Sequence, residues 1–269
     1  MKIIRSKIKL KKLIKNEKNL GFVPTMGAFH QGHLSLIKKS IIQCNKTLVS
    51  IYINKPQFNK KNDFNKYPRN LRKDIFKIKS LKVDYLFLPT EEEIYPDGPN
   101  KKIYINKFKK QLCGKNRPGH FEAVADVIER FLDLLKPRNV YLGEKDMQQF
   151  IILEDYIKKR FKKIKIICCK TVRENNGLAC SSRNLLLSYK QKCIGSNVYK
   201  FIKLNKKRIL KNLISVKHVK KNILSLGVDK IDYVKIININ KIVKPYKKRK
   251  KDKIFIAYYL KSTRLIDNV

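Results

Sequence analysis

The chain has 269 residues, 43% of them hydrophobic, which is enough apolar material for a sizeable core and excludes a disordered chain. Lys and Arg number 64 against 21 acidic residues, a formal net charge of +43. Such an excess points to polyanions, but the lysines are spread over nearly every segment, as an AT-rich gene also produces. No specific nucleic-acid partner is therefore expected, and no apolar run approaches the roughly 18 residues of a membrane span.

In chain order, residues 1–16 are basic with scattered Ile and Leu, lack a secretory apolar stretch, and are not expected to target the protein. Residues 21–33 then read G-F-V-P-T-M-G-A-F-H-Q-G-H. A strand is expected over 21–25, a tight loop through Pro24, Thr25, Met26 and Gly27, and an amphipathic helix over 33–43. A strand, loop and helix start in that order bind phosphates on backbone N–H groups and the helix dipole. Gly27 can take a left-handed backbone, and Gly32 lets a flat ring lie against the main chain. His30 and His33, three apart, can turn both rings to one side of the first turn, where two donors suit the charge of a phosphoryl group under attack. The segment is not a P-loop, because no G-K-[ST] follows the glycines.

A second strand is expected over 47–54, ending at Asn54, with Gln57 and Phe58 just beyond. Their neutral amides can hydrogen-bond a carboxylate and hydroxyls, although Pro56 also fits plain turn chemistry. A helix over 70–81 and a strand over 83–89 follow. Arg117-Pro118-Gly119-His120 leads into a helix over 121–135; Arg117 can clamp an anion in a bidentate fashion or can simply precede the helix. A strand over 140–143 ends at Gly143, and Glu144, Lys145 and Asp146 open a helix over 146–160. Lys145 suits a phosphate and Asp146 ribose hydroxyls, while both acids also suit a helix N-terminus. Gln149 is one turn further on. After a strand over 164–169, residues 173–184 are polar and glycine-bearing, with Ser181, Ser182 and Arg183 suited to a triphosphate or to a mobile linker.

The alternation of strands and helices to about residue 172 predicts a parallel sheet with crossover helices, with the ligand crevice at the strands' carboxyl ends. Beyond residue 184 a Lys-rich helical stretch (191–226) and two alternating runs (231–239 and 254–260), joined by a basic loop over 245–250, predict a small α+β domain. The six cysteines show no C-x-x-C pair and no zinc spacing with the four histidines, and they read as reduced thiols of a cytoplasmic protein.

Seven blocks, in order, carry a resemblance: P-T-M-G-A-F-H-Q-G-H, Q-F after a strand, Y-P-R (Tyr67 to Arg69), R-P-G-H-F, G-E-K-D-M-Q-Q, G-L-A-C-S-S-R-N and R-L-I-D-N (Arg264 to Asn268). Together they resemble the pantothenate synthetases over essentially the whole chain. His30 to His33 alone resembles only the wider nucleotidyl-transfer superfamily that includes class I aminoacyl-tRNA synthetases. The resemblance implies an ATP-dependent ligase that condenses pantoate with β-alanine through a pantoyl adenylate, releasing AMP and pyrophosphate. It implies a Rossmann-like domain over 1–176, a small carboxyl-terminal lid over 177–269, a cytoplasmic homodimer, and Mg2+ accompanying ATP.

Carried over residue by residue, ATP is expected at Pro24, Thr25, Met26, Gly27, His30, Gly32, His33, Gly143, Glu144, Lys145, Asp146, Val172, Cys180, Ser181, Ser182 and Arg183. Pantoate and β-alanine are expected at Gln57, Gln149, Asn54 and Arg117, with Gln57 near the β-alanine site. His33, His30 and Lys145 are the expected catalytic groups, His33 matching the family's proposed general acid, and Asp74 is the acid expected near the metal. Lys55-Pro56, Glu122, Ala123, Asn176 and Cys180 depart from the family's usual residues, and Glu122 and Ala123 flank Arg117 and His120. A class I synthetase fragment would need a K-M-S-K-S-type loop, a transferase acting on a phosphate ester would lack the Gln57 and Gln149 pair, and a nucleic-acid-binding protein gives no reason for the ordered blocks.

Overall fold

The structure, a computed structural model, describes residues 1–248 and 251–269. Strands β1 (Lys2–Ile4), β2 (Leu20–Thr25), β3 (Lys46–Ile51), β4 (Tyr85–Phe87), β5 (Asn139–Gly143) and β6 (Lys165–Cys169) form one sheet. Every pair in it is parallel, in the order β1-β4-β3-β2-β5-β6. Helices α1 (Lys7–Ile14), α2 (Gln31–Gln43), α3 (Lys61–Asn65), α4 (Leu71–Lys79), α5 (Glu91–Ile94), α6 (Leu112–Asn116), α7 (His120–Leu135) and α8 (Met147–Arg160) surround it.

Consecutive strand residues are apolar because both faces of the sheet are covered. Phe22, Leu48, Phe87 and Val140 share a core with Phe131 and Leu132 of α7. Their neighbours Val23, Val49, Leu86 and Tyr141 share another with Leu36 and Ile37 of α2 and Ile78 of α4. From β2 the chain steps outward to β3 and β4, then crosses back to place β5 on the other side of β2. The resulting switch point, between the carboxyl ends of β2 and β5, is where an open parallel sheet leaves a crevice.

The remainder comprises α9 (Tyr189–Leu210), α10 (Val216–Ser225) and an antiparallel sheet of β7 (Lys230–Asn238), β8 (Asp252–Leu260) and β9 (Thr263–Asn268). The alternation in β8 serves two cores: Ile254, Ile256 and Tyr258 pack with Val198, Ile202 and Val219, whereas Phe255 and Ala257 join the core of the large sheet.

One feature differs from the sequence expectation, the single helical stretch over 191–226, and two others lie outside it. The basic amino terminus is a strand and a helix: Lys2 N–H donates to Asp84 O (2.7 Å), Leu88 N–H donates to Ile4 O (2.8 Å), and Ser6 caps α1. Residues 191–226 are two helices, parted at Asn212 (φ 58°) and restarted by Ser215, which accepts from His218 N–H. The closing R-L-I-D-N is a strand, β9. Of the basic loop expected over 245–250, Arg249 and Lys250 lie outside the described residues.

Candidate active site

Pro24, Thr25, Met26, His30, Gly32 and His33 line one side of a cavity of about 250 Å³ at the switch point. Gly143, Lys145, Asp146 and Gln149 line it from β5 and the start of α8. Asn54, Gln57 and Arg117 form the floor near α7, and Val172, Cys180, Ser181, Ser182 and Arg183 close the remaining side. Segments up to about 160 residues apart in the chain thus meet in one place. A second cavity of about 450 Å³ shares Arg117, Lys145, Gln149, Ser181 and Arg183 and opens toward β8 and β9.

The two imidazoles are stacked, with ring centroids 4.0 Å apart and planes at 29°. His30 caps α2, its Nδ1 accepting from Gly32 N–H at 3.1 Å. A side chain on Gly32 would sit 2.8 Å from the His30 ring, so the ring lying on that main chain is the protein's own. Because Nδ1 of His30 accepts, the proton of the neutral ring is on Nε2. Burial, followed by the charge of Lys145, lowers the His30 pKa to about 4. Burial, then His30 and Lys145, holds His33 well below the usual histidine range. Both rings are neutral at pH 7. His33 Nδ1 and Ser50 Oγ are buried at this cavity with no partner, the state of groups that meet a ligand or water.

Gln57 is held from three sides. Its Oε1 accepts from Asn54 Nδ2 (3.1 Å), its Nε2 donates to Met26 Sδ (3.2 Å), and its carbonyl accepts from Arg117 Nη2 (3.1 Å) and His120 Nδ1 (2.8 Å). Burial, then Arg183, pulls Arg117 down to about 10, so it remains charged at neutral pH. Burial, then Arg117, takes His120 to about 3. On the opposite wall Ser182 Oγ donates to Ala28 O (3.1 Å), and Arg183 makes a forked pair with Asp63 at 3.1 and 2.9 Å. Asp63 thus occupies the guanidinium that the sequence assigns to a triphosphate.

Four expected residues depart from expectation: Asp74, Gly27 and Glu144 are not on the cavity wall, and Asn54 lines it with its amide already engaged. Asp74, 3% exposed, is not on the cavity wall: its two oxygens accept from Ala28 N–H (2.8 Å) and Phe29 N–H (2.7 Å). Gly27 (φ 77°) and Ala28 (φ 51°) are consecutive left-handed residues, a turn whose N–H groups converge on an anion. That anion is Asp74, so the carboxylate shapes the loop and does not fit the metal role, and Gly27 shapes the turn beside it. Glu144 faces away, its carboxylate 2.9 Å from Lys253 Nζ; burial would raise its pKa, but the Lys253 hydrogen bond and charge lower it. Asn54, 1% exposed, uses its amide on Gln57 and Ala123 O (3.1 Å) and accepts from Tyr95 OH (2.8 Å). It therefore orients Gln57 and leaves no amide proton for a substrate.

The departures at 122 and 123 are accommodated: Glu122 pairs with Lys109 (2.6 Å), and Ala123 contributes only its carbonyl to Asn54. Pro56 sits at the start of a 3-10 turn, Lys55–Gln57, whose fixed φ it suits. Sequence reasoning missed Lys77, which donates to Phe29 O and depresses both imidazoles. Its spacing of three from Asp74 on one helix was the available signal. It also missed Asp63, which nothing local distinguishes from a helix-start acid.

The profile of the pantoate-beta-alanine ligase family matches residues 2–269. The chain is 38% identical over 272 residues to the pantothenate synthetase of Caldicellulosiruptor saccharolyticus, covering 100% of this chain and 97% of the relative. It is 40% identical over 257 residues to that of Francisella tularensis subsp. mediasiatica, covering 95% and 90%. Among solved structures, the pantoate-beta-alanine ligase of Francisella tularensis, complexed with beta-gamma ATP and beta-alanine, matches with a TM-score of 0.84 at 36% identity, covering 100% of this chain and 97% of that one. The pantothenate synthetase of Thermus thermophilus matches with a TM-score of 0.89 at 30% identity, covering 100% and 99%.

Proposed function

The chain belongs to the pantoate-beta-alanine ligase family, and we propose that it performs its ligation in two steps, through a pantoyl adenylate formed in the switch-point cavity. It is an enzyme, an ATP-dependent ligase that joins pantoate to β-alanine as pantothenate. In the first step a pantoate carboxylate oxygen bonds to the α-phosphorus of ATP, and the bond to pyrophosphate breaks. In the second, the amine of β-alanine bonds to the acyl carbon, loses a proton, and AMP leaves.

The observation that carries this reading is the shared wall: the stacked His30 and His33 pair and Lys145 face the same cavity as Gln57 and Gln149. Neutral imidazole N–H groups and the Lys145 ammonium stabilise charge spreading over the phosphoryl oxygens. Ser181, Ser182 and Arg183 take the leaving phosphates, with Arg183 exchanging Asp63 for them. Gln57 and Gln149 hold pantoate, and Arg117 steadies the Gln57 loop. Because His33 is neutral, its role is that of a hydrogen-bond donor; acid catalysis by it requires that the arriving triphosphate first raise its pKa.

Mg2+ arriving on the ATP phosphates would find no ready-made carboxylate cluster among the described residues, and phosphate oxygens and water would supply most of its ligands. The reading extends to lobes of 1–176 and 177–269, the second closing on the first to keep the mixed anhydride from water, and to a cytoplasmic homodimer. Six free cysteines are in keeping with a reducing compartment, and no helix among the described residues is long and apolar enough to cross a membrane. The test is ATP–pyrophosphate exchange with and without pantoate. Exchange that requires pantoate is expected; exchange indifferent to pantoate, or none, overturns the two-step reading.

A further inference from the structure

The turn that carries Lys145 is held from behind by the far end of the chain. Asn268, in β9, is 4% exposed and donates both amide hydrogens to carbonyls of that turn, Glu144 O and Lys145 O, each at 2.9 Å. Its Oδ1 accepts from Lys253 Nζ (2.8 Å), and the same ammonium pairs with Glu144 Oε1 (2.9 Å). Next to it, Asp267 makes a forked pair with Arg173 at 2.7 and 3.0 Å. The Glu144–Asp146 turn has no side-chain cap of its own. Its two successive carbonyls are therefore aimed by a side chain more than a hundred residues away, while Lys145 and Asp146 face the cavity on the opposite side.

We propose that Asn268 is a positioning residue for the phosphoryl chemistry, acting through Lys145: by gripping the carbonyls of Glu144 and Lys145 it sets where the ammonium stands against the imidazole pair. The inference rests on the role proposed above for Lys145. An error of about 1 Å in a charge-stabilising group can cost on the order of 100-fold in rate, and a primary amide supplies the two parallel donors that two carbonyls require.

The experiment compares wild type, Asn268→Ala, Lys145→Ala and the double variant in pantoate-dependent ATP–pyrophosphate exchange, with the His30 and His33 ring resonances followed by NMR from pH 7 down to about 3.5, across the His30 titration. Asn268→Asp, which keeps the size and the Lys253 contact but cannot donate to carbonyls, is carried alongside in case the alanine variant folds poorly. Exchange is expected to fall roughly 10-fold or more in either Asn268 variant, with no further loss when Lys145 is already alanine. The imidazole titrations of Asn268→Ala should move upward, as should those of Lys145→Ala, a shift that a merely structural contact would not produce. Exchange within twofold of wild type, equal fold-losses in both backgrounds, or unmoved imidazole titrations overturn the proposal. Full exchange in Lys145→Ala instead sinks the role given to the lysine, so the two failures are distinguishable.

Discussion

Two neutral imidazoles 4.0 Å apart, with a lysine in electrostatic reach, carry the proposed chemistry at the residue scale. Each positioned donor at a charge-developing centre is worth roughly 100- to 1,000-fold, so His33→Ala should lower kcat for pantothenate formation by about 100-fold or more; turnover near wild type would remove His33 from the chemistry. The same burial makes stability depend on pH. His30 and His120 have folded pKa values of about 4 and 3 against an ordinary 6.5, so the unfolded chain binds more protons below pH 6.5. Stability is therefore complete above pH 6.5 and is lost as pH falls toward 4. Each of these groups contributes on the order of 3 kcal/mol over that window. Thermal melts from pH 7.5 to 4.5 should show the decline, and His120→Asn should flatten it; a flat wild-type profile would contradict the burial argument.

At the scale of elements, the site depends on how closely α2 packs behind β2. A Cβ added to Gly21 would lie 2.1 Å from Ser40 Oγ and 3.0 Å from Cys44 Sγ, and Ser40 is itself tied to Thr47 at 2.8 Å. Gly21→Ala should destabilise the fold by roughly 1–3 kcal/mol, and Ser40→Ala should restore part of that loss by removing the clashing oxygen. Denaturant melts of both single variants and the pair would test it, and simple additivity would place the cost elsewhere. The strand–loop–helix from 20 to 43 was legible because its apolar pattern switches period where glycines and histidines intervene. β1 was not: three residues at a sheet edge are recognisable only by the backbone bonds they make to β4. The break between α9 and α10 escaped for a related reason, since Lys211 to Ser215 contains neither Gly nor Pro and a single left-handed Asn makes the turn.

Over the whole molecule, +43 surrounds a cavity that must admit an anionic nucleotide. Field of that sign raises the encounter rate of anions and is screened beyond about 8–10 Å at physiological salt. The kcat/KM for ATP should fall several-fold between ~20 and ~500 mM salt while kcat changes little; a kcat/KM indifferent to salt would leave the charge without this use. Strands β8 and β9 are joined to the large-sheet region through Arg173 and Asp267, through Asn268 on the Lys145 turn, and through the shared core at Phe255 and Ala257. If the lid proposed for residues 177–269 closes, it has to preserve or break those bonds, which would tie its movement to the placement of Lys145.

Chain pattern by itself determined the parallel sheet, its crossover helices and the cluster of polar residues at strand ends, because periodicity and local turn chemistry act over a few residues. It also singled out His30, His33, Lys145, Gln57, Gln149 and Ser181 to Arg183, whose side-chain types suit phosphate and carboxylate chemistry. Which of the neighbouring polar groups face the cavity was decided only by tertiary structure. Asp74 closes a backbone turn, Asn54 orients the nearby Gln57 while tied to Tyr95 and Ala123, Glu144 meets Lys253 and Asn268 grips a distant turn, each fixed by at least one partner far along the chain.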